Sequence, residues 1–375
     1  MFEKYGISKP KFEHGAPMVV VGMSGGVDSS VAAAILKWQG YNVVGLFMKN
    51  WEETGSDGVC TSEADFADVK RVSEVLGIPY YTVNFAKQYM DNVFKMFLEG
   101  LERGITPNPD VLCNREVKFG PFLDYALKIG ADYVATGHYC RVKNEAGRFV
   151  LQKGFDDGKD QSYFLCGLSQ KQLCRAMFPI GELKKSQVRE IAKALGLNTA
   201  EKKDSTGICF IGERNFRDFM KGYLGNKAGD IKTLDGKVIG RHEGLMYYTL
   251  GQRKGLGIGG MKQTDNARWF VVRKDLGENV LYVNNGECSE MFTGELSADN
   301  FNWICGKLDS KEFRCSAKTR YRQPDQKCRV QILGDSVKVV FDKPQRAVTP
   351  GQWVVLYIEE DCLGGGEIQN SEVGL

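Results

Sequence analysis

Nowhere does this sequence reach the ~20 consecutive apolar residues that a bilayer span requires, so it contains no candidate membrane segment. The opening stretch, MFEKYGISKPKFEHG, is charged and has no continuous apolar run, so it does not read as a secretory signal, and the chain is expected to be cytoplasmic. No C-x-x-C pair occurs among the eleven cysteines. An odd, scattered set of this kind fits neither a disulfide framework nor a zinc ribbon, and the thiols are expected to be reduced. Charge of one sign is also missing, with a net +3 over 375 residues. A polyanionic partner would therefore have to be met by local patches rather than by the whole surface. Histidine is scarce, with three in all, and there is no internal repeat or low-complexity tract. What remains is a soluble globular composition, 42% hydrophobic and 26% charged, long enough for two or three domains with cores of their own.

The first half alternates strands and helices. Apolar residues 18–21 read as a buried strand, 30–38 as a helix and YNVVGLFM from Tyr41 as the next strand, which makes one βαβ unit. A helix over SEADFADVKRVSEVLG, with Ser62 and Asp65 at N-cap and N3 spacing, precedes a strand in IPYYTVNF. Helices follow at about residues 88–103 and 115–128, and ADYVATGH reads as the last parallel strand. This alternation predicts a parallel sheet covered on both faces. After about Cys209 the helices give way to glycines and short alternating runs such as RWFVVRK and NVLYVNN, which predict small β domains. The predicted domains are 1–212, 213–288 and 289–375.

GMSGGVDSS, residues 22–30, lies between the first strand and the first helix. A glycine-rich turn in that position presents backbone N–H groups, and the helix N-terminus adds positive potential, so the turn forms an anion cradle whose natural guest is phosphate. Two commoner phosphate loops are absent: there is no G-x-x-x-x-G-K-[ST] lysine and no G-x-G-x-x-G spacing. Asp28 is an acid inside an anion site, and either coordination through Mg²⁺ or hydrogen bonding within the loop would account for it.

SGGVDSS resembles the signature of the PP-loop ATP pyrophosphatases, which grip the pyrophosphate of ATP, attach AMP to a substrate oxygen and release pyrophosphate. GLFMKNW, TPNPDVLCNREVKF, ADYVATGHY, GKDQSYFL, KKDSTGICFIGERNF, GLMYYTLGQRKGLGIGG and TPGQWVV then occur in the order found in tRNA 2-thiouridylases of the MnmA type. The resemblance runs from about Met18 to Tyr357. It departs from the family pattern in a slightly long segment before Pro17 and in Cys140, which stands directly after TGHY. It implies a PP-loop, adenine nucleotide alpha hydrolase-like α/β domain, then a small central β domain and a C-terminal β-barrel.

The chemistry of such a reaction can be derived independently. Replacing the C2 oxygen of uracil by sulfur needs a better leaving group, which adenylation supplies, and a sulfur nucleophile, which a protein persulfide supplies. One cysteine carries the persulfide, and a second frees the sulfur or resolves the linkage as a disulfide. Cys113 and Cys209 are the candidates, each expected in a loop. Cys113 follows TPNPDVL, whose prolines hold extended backbone, and Asn114 is read as the N-cap of the following helix. Cys209 stands near Lys202 and Lys203 in KKDSTGICFIG. Cys60, at a helix start, is open between a packing and a chemical role, and Cys166, Cys174, Cys288, Cys305, Cys315, Cys328 and Cys362 read as small buried hydrophobes.

The resemblance implies that Cys209 carries the persulfide, Cys113 is its partner nucleophile, and Asp110 is an acid or base beside a target base whose pocket Asn108 and Pro109 line. It implies ATP contacts from Gly22, Met23, Ser24, Gly25, Gly26, Val27, Asp28 and Ser29, with Met48 against adenine and Gly137 against the nucleotide. His138, at the C-terminal end of a strand, is expected to be functional on the RNA side. RNA contact is implied for Lys159, Asp160, Gln161, Arg320, Tyr321 and Gln352. Composition offers a local reason: between Lys311 and Arg346 there are ten Lys or Arg against four Asp or Glu, and KTRYRQP sets Tyr321 between two arginines. The same pattern also fits a solvated strand edge. The expected partners are a tRNA and a sulfur-donor protein, and the expected cofactors ATP and Mg²⁺. Two other functions are weighed: a PP-loop synthetase that adenylates a small molecule, for which two loop thiols would have no use, and a non-catalytic RNA-binding protein, against which intact Ser24, Asp28 and Ser29 argue. A third alternative is that Cys113, Cys209 and Asp110 hold an iron–sulfur cluster.

Overall fold

The apolar run MVVVGM forms β1 (Met18–Met23), the middle strand of a five-stranded parallel sheet in the computed structural model, which describes residues 1–51, 61–204, 216–258, 268–306 and 308–373. β2 (Asn42–Lys49) and β4 (Tyr133–Ala135) flank it in parallel, and β3 (Tyr80–Asn84) lies outside β2. Val19, Val20 and Val21 have no exposed surface, because helices cover both faces and leave no polar side for alternation to mark. β4 is not the last strand. Between β4 and the sheet's fifth strand, β7 (Ala176–Met177), comes a hairpin of β5 (Cys140–Glu145) and β6 (Arg148–Lys153). Two residues of β7 are too few for a periodic signal.

The first helix spans Val27–Gln39 and starts three residues earlier than expected, capped by extended Gly26. The expected helix at 115–128 requires a larger correction. It begins at Pro109, where Asn108 Oδ1 accepts the N–H groups of Asp110 at 3.2 Å and Val111 at 3.3 Å. Proline at the first helical position with an asparagine cap before it is a favourable start. The helix runs through Cys113 into a π turn, Asn114–Lys118, and a new helix begins at Pro121. Asn114 is therefore no cap. It is buried and donates to the Phe164 carbonyl at 3.1 Å. Cys113 likewise sits in helix rather than loop and is 1% exposed.

The central sheet has β8 (Gly229–Thr233), β9 (Val238–His242), β10 (Trp269–Asp275) and β11 (Val280–Asn285) in the order β10-β11-β8-β9. The C-terminal strands are β12 (Phe292–Trp303), β13 (Glu312–Lys318), β14 (Gln326–Leu333), β15 (Ser336–Arg346), β16 (Trp353–Ile358) and β17 (Asp361–Val373). They run β12-β15-β14-β13-β16-β17, and pairing of β12 with β17 closes the barrel. β6 extends the same sheet through Leu151 opposite Cys362, so the hairpin of the α/β half is built onto the barrel.

All three regions meet on residues 104–107. Lys274 of β10 donates to the Gly104 carbonyl at 2.8 Å, and burial lowers its pKa to about 8. Thr106 N donates to the Pro350 carbonyl at 2.9 Å, the Thr106 carbonyl accepts Gln352 Nε2 at 2.8 Å, and the Thr106 and Thr249 hydroxyls lie 3.4 Å apart. Gly351, at φ +88°, allows this approach, since a Cβ there would lie 2.8 Å from the Thr106 carbonyl carbon. Arg320 makes a second brace, donating to the carbonyls of Leu250 at 2.8 Å and Ala347 at 2.9 Å and to Thr349 Oγ1 at 3.0 Å. Arg320→Ala should therefore lower stability by about 2 kcal/mol, because it removes three hydrogen bonds that join the central sheet to the barrel. Thermal denaturation checks this, and an unchanged Tm would show that the brace contributes nothing.

Candidate active site

The phosphate loop is shaped by its own serines and by close neighbours. Ser29 Oγ accepts Ser24 N at 3.2 Å, lies 3.2 Å from Ser24 Oγ and donates to the Gly26 carbonyl at 3.2 Å. Gly25, at φ +73°, presses on the next helix, where an added Cβ would stand 2.6 Å from the Asp65 carbonyl oxygen. Gly137, just past β4, comes as close to the loop: a Cβ there would lie 2.6 Å from Ser29 N. Met48, near the end of β2, is partly exposed. The loop therefore opens at the C-terminal ends of adjacent parallel strands, where open α/β sheets bind ligands.

Neither expected account of Asp28 describes its protein partners. They come from outside the loop: Lys185 Nζ approaches its two oxygens at 2.7 and 2.8 Å, and Tyr139 OH donates to Oδ1 at 2.7 Å. Lys185 also pairs with Asp204 Oδ1 at 2.8 Å, and Asp204 takes Lys159 at 2.6 Å and Arg189 at 3.0 Å. Burial pushes the Asp204 carboxyl up, but the hydrogen bonds from Lys159 and Lys185 outweigh it and hold its pKa at about 2. Lys202, expected as a neighbour of the persulfide cysteine, is tied to the loop, donating to the Gly25 carbonyl at 3.0 Å, Asp65 at 2.7 Å and Asp68 at 2.6 Å. Cys209 and Cys60 lie outside the described residues.

The second cluster is built on the turn that begins at Pro109. Asp110 has its carboxyl pushed up by burial, and Lys118, at the end of the π turn, opposes the shift. His138 feels the same lysine. Burial first, and Lys118 second, hold its ring well below its ordinary pKa, so it is neutral at pH 7, with Nδ1 2.7 Å from the Thr136 hydroxyl. Phe119 and Phe178 stand 6.5 and 6.1 Å from the imidazole. Because His138 follows Gly137, these contacts link the loop's flank to the turn carrying Asp110 and Cys113. The sequence reading missed Lys118, Tyr139, Lys185 and Asp204. Lys118, Tyr139 and Asp204 stood inside quoted motifs without being singled out, whereas nothing local to Lys185 marked it.

Of the expected RNA residues, Gln161 brackets the Tyr139 backbone at 2.8 and 3.0 Å, and Lys159 is the one paired with Asp204. Tyr321 stacks on Phe164 at 4.3 Å and donates to the Lys159 carbonyl at 3.3 Å. Asp160 is buried at 4% exposure, accepting Gly154 N, Ser162 N and Lys318 Nζ, so it holds the segment rather than facing solvent. Gln352 and Arg320 are the braces described above. Lys153, Lys318 and Arg322 join Tyr321 around a pocket of about 460 Å³.

A parallel sheet whose first strand ends in this serine–glycine turn defines a PP-loop nucleotide-binding protein. Residues 17–213 match the family described as tRNA methyl transferase HUP domain, 217–285 the tRNA methyl transferase PRC-barrel domain and 293–368 the aminomethyltransferase beta-barrel domain. The chain is 57% identical over 352 residues to the tRNA-specific 2-thiouridylase MnmA of Bacillus cereus (strain ATCC 10987 / NRS 248), covering 93% of this chain and 94% of that one. To the protein of the same name from Streptococcus mutans serotype c it is 56% identical over 355 residues, covering 94% and 95%. The chain belongs to the tRNA-specific 2-thiouridylase family.

The raised Asp110 pKa has a stability consequence. A carboxyl whose folded pKa lies above its unfolded one imposes a penalty that is absent at low pH and grows as pH rises through the folded value. Asp110→Asn removes that penalty. The Tm advantage of the variant over the parent protein should therefore be larger at pH 7 than at pH 4, and a pH-independent difference would show that Asp110 is not desolvated.

Proposed function

We propose that the protein is an ATP-dependent sulfurtransferase that converts a wobble uridine of tRNA to 2-thiouridine. The observation that carries this reading is the pairing of an intact phosphate loop with a carboxylate–thiol turn, Asp110 and Cys113, in one α/β domain of a chain that matches thiouridylases over 93% of its length. Three domains divide the work: 1–212 activates, and 213–288 and 289–375 support the site and the RNA.

The loop N–H groups and helix N-terminus hold the pyrophosphate of ATP while the uridine oxygen attacks the α-phosphorus, forming an O–P bond and expelling pyrophosphate. The terminal sulfur of a Cys209 persulfide then attacks C2, and AMP leaves with the original oxygen. Cys113 either attacks Cys209 first, freeing the sulfur as sulfide, or attacks afterwards to cleave the base–sulfur–Cys209 linkage. Both orders leave a Cys113–Cys209 disulfide, which an external thiol reductant returns to two thiols. Asp110 exchanges protons with the target base, and burial favours its protonated form. Neutral His138 can donate or accept a hydrogen bond beside it without adding charge.

Mg²⁺ fits the loop's donors, since the Asp28 carboxylate and the Ser24 and Ser29 hydroxyls are hard oxygen ligands, and this ion is commonly held by one carboxylate together with substrate phosphates. It would neutralise phosphate charge. Among the described residues no group of three His, Cys, Asp or Glu could hold a metal, so the protein's share of such a site rests on Asp28. Lys159, Gln161, Tyr321 and Arg322 supply the RNA-facing surface, with Asp160, Arg320 and Gln352 holding it in shape. A persulfide-bearing donor protein loads Cys209. No helix among the described residues is long and apolar enough to cross a membrane, which is consistent with work in the cytoplasm.

Incubation with ATP, Mg²⁺, a persulfide donor and unmodified tRNA should yield 2-thiouridine on nucleoside analysis, and its absence would overturn the reading. Cys113→Ser and Cys209→Ser should each abolish product, while only Cys209→Ser should fail to accept radiolabelled sulfur. A Cys209→Ser protein that still loads would reverse the two roles.

A further inference from the structure

We infer that Lys185 is a pyrophosphate-binding residue of the ATP site, held beside the phosphate loop by Asp28. The inference rests on the reading of the loop as an ATP site and adds a residue to it.

The loop lacks the lysine that a G-x-x-x-x-G-K-[ST] motif would carry next to its own glycines. The fold brings one from 157 residues downstream, at the first position of the helix Lys185–Ala194. Its backbone N–H is fixed to Asp156 Oδ2 at 2.8 Å, its side chain is 12% exposed, and its ammonium reaches both Asp28 oxygens. Asp28 sits in the first turn of the helix that follows the phosphate loop, so this ammonium lies at the edge of the anion cradle.

The distribution of charge shows what Lys185 serves. Asp204 has two further cations, Lys159 at 2.6 Å and Arg189 at 3.0 Å, and keeps them if Lys185 is withdrawn. Among the described residues Asp28 pairs with no second cation, and its other partner is the Tyr139 hydroxyl. Lys185 is thus redundant for Asp204 and not for Asp28. An uncompensated carboxylate beside an anion cradle would repel phosphate, so neutralising it is a condition for binding. When a phosphate oxygen or a cation takes over a share of Asp28's environment, the ammonium, a compact charge with three rotatable donors, is already within a hydrogen bond of the loop.

The test uses the full chain and two ligands, ATP with Mg²⁺ and inorganic pyrophosphate, with dissociation constants measured by calorimetry. Lys185→Met and Lys185→Gln should each weaken both ligands at least tenfold, and Lys185→Arg, which keeps the charge, should recover most of the loss. Asp204→Asn should leave both constants within about threefold, because Lys185 remains. Thermal denaturation accompanies each variant, and the glutamine form keeps a donor toward Asp28 should the methionine form fail to fold. Unchanged pyrophosphate affinity in folded Lys185→Gln would overturn the inference. So would an Asp204→Asn loss equal to that of Lys185→Gln, which would make the lysine a structural bridge. Asp28→Ala separates the two levels: if it abolishes ATP binding while Lys185→Gln does not, the loop assignment stands and the lysine fails. If neither variant alters binding, both fail.

Discussion

Thr106 spends both of its backbone hydrogen-bonding groups on another domain. Its N–H goes to the Pro350 carbonyl and its carbonyl accepts Gln352, while the carbonyl of Gly104, two residues earlier, takes a buried lysine from the central sheet. Backbone groups in a partly buried position gain from such partners, and here the β domains supply them. The segment leads through Pro107 into the Asn108 cap and the turn bearing Asp110 and Cys113. Displacing the barrel or the central sheet therefore loosens the start of the turn that bears Asp110 and Cys113. The proposed chemistry resides in the α/β domain, but its alignment depends on all three.

A second constraint is electrostatic. An acid at a site for anions must be neutralised, and a lysine shared between carboxylates must not be lost to solvent. The pairing of Asp28 with Lys185 and of Lys185 with Asp204 meets both needs. It also ties the phosphate loop to the backbone just before the segment that carries Cys209, and Lys159 on the same carboxylate extends the tie to the proposed RNA surface. Lys202 on the Gly25 carbonyl makes a parallel link. The phosphate loop, Asp204 and the proposed RNA surface therefore share a single charge cluster. In the neighbouring cluster burial holds His138 neutral and favours the protonated form of Asp110, while Lys118 acts on both.

Several expected residues keep their place with a different task. Arg320 and Gln352 stand in basic or glycine-rich stretches that suggest contact with RNA, yet their side chains hold protein carbonyls. Asp160, between a lysine and a glutamine, is buried and holds its own loop against Lys318. Sequence spacing has no access to the partners that fix these roles, because Leu250 lies across a domain boundary from Arg320, and Thr106 and Lys318 lie more than a hundred residues from Gln352 and Asp160.

The sequence by itself determined the parallel α/β half, the two β regions after it, the phosphate turn at residues 22–30 and the motif around Cys113. These features are local: hydrophobic period, glycine in a strand-to-helix turn, and short strings of consecutive residues. The start of the Pro109 helix was equally local, but the cap was assigned to Asn114, whereas Asn108, followed by proline at the first helical position, holds it. Only the tertiary structure decided that the hairpin 140–153 belongs to the barrel, that a two-residue strand completes the parallel sheet, and that Lys185 neutralises Asp28 from 157 residues away. These are long-range pairings, set by which backbone edges and charges remain unsatisfied once the local elements have formed, and no window of neighbouring residues contains both partners.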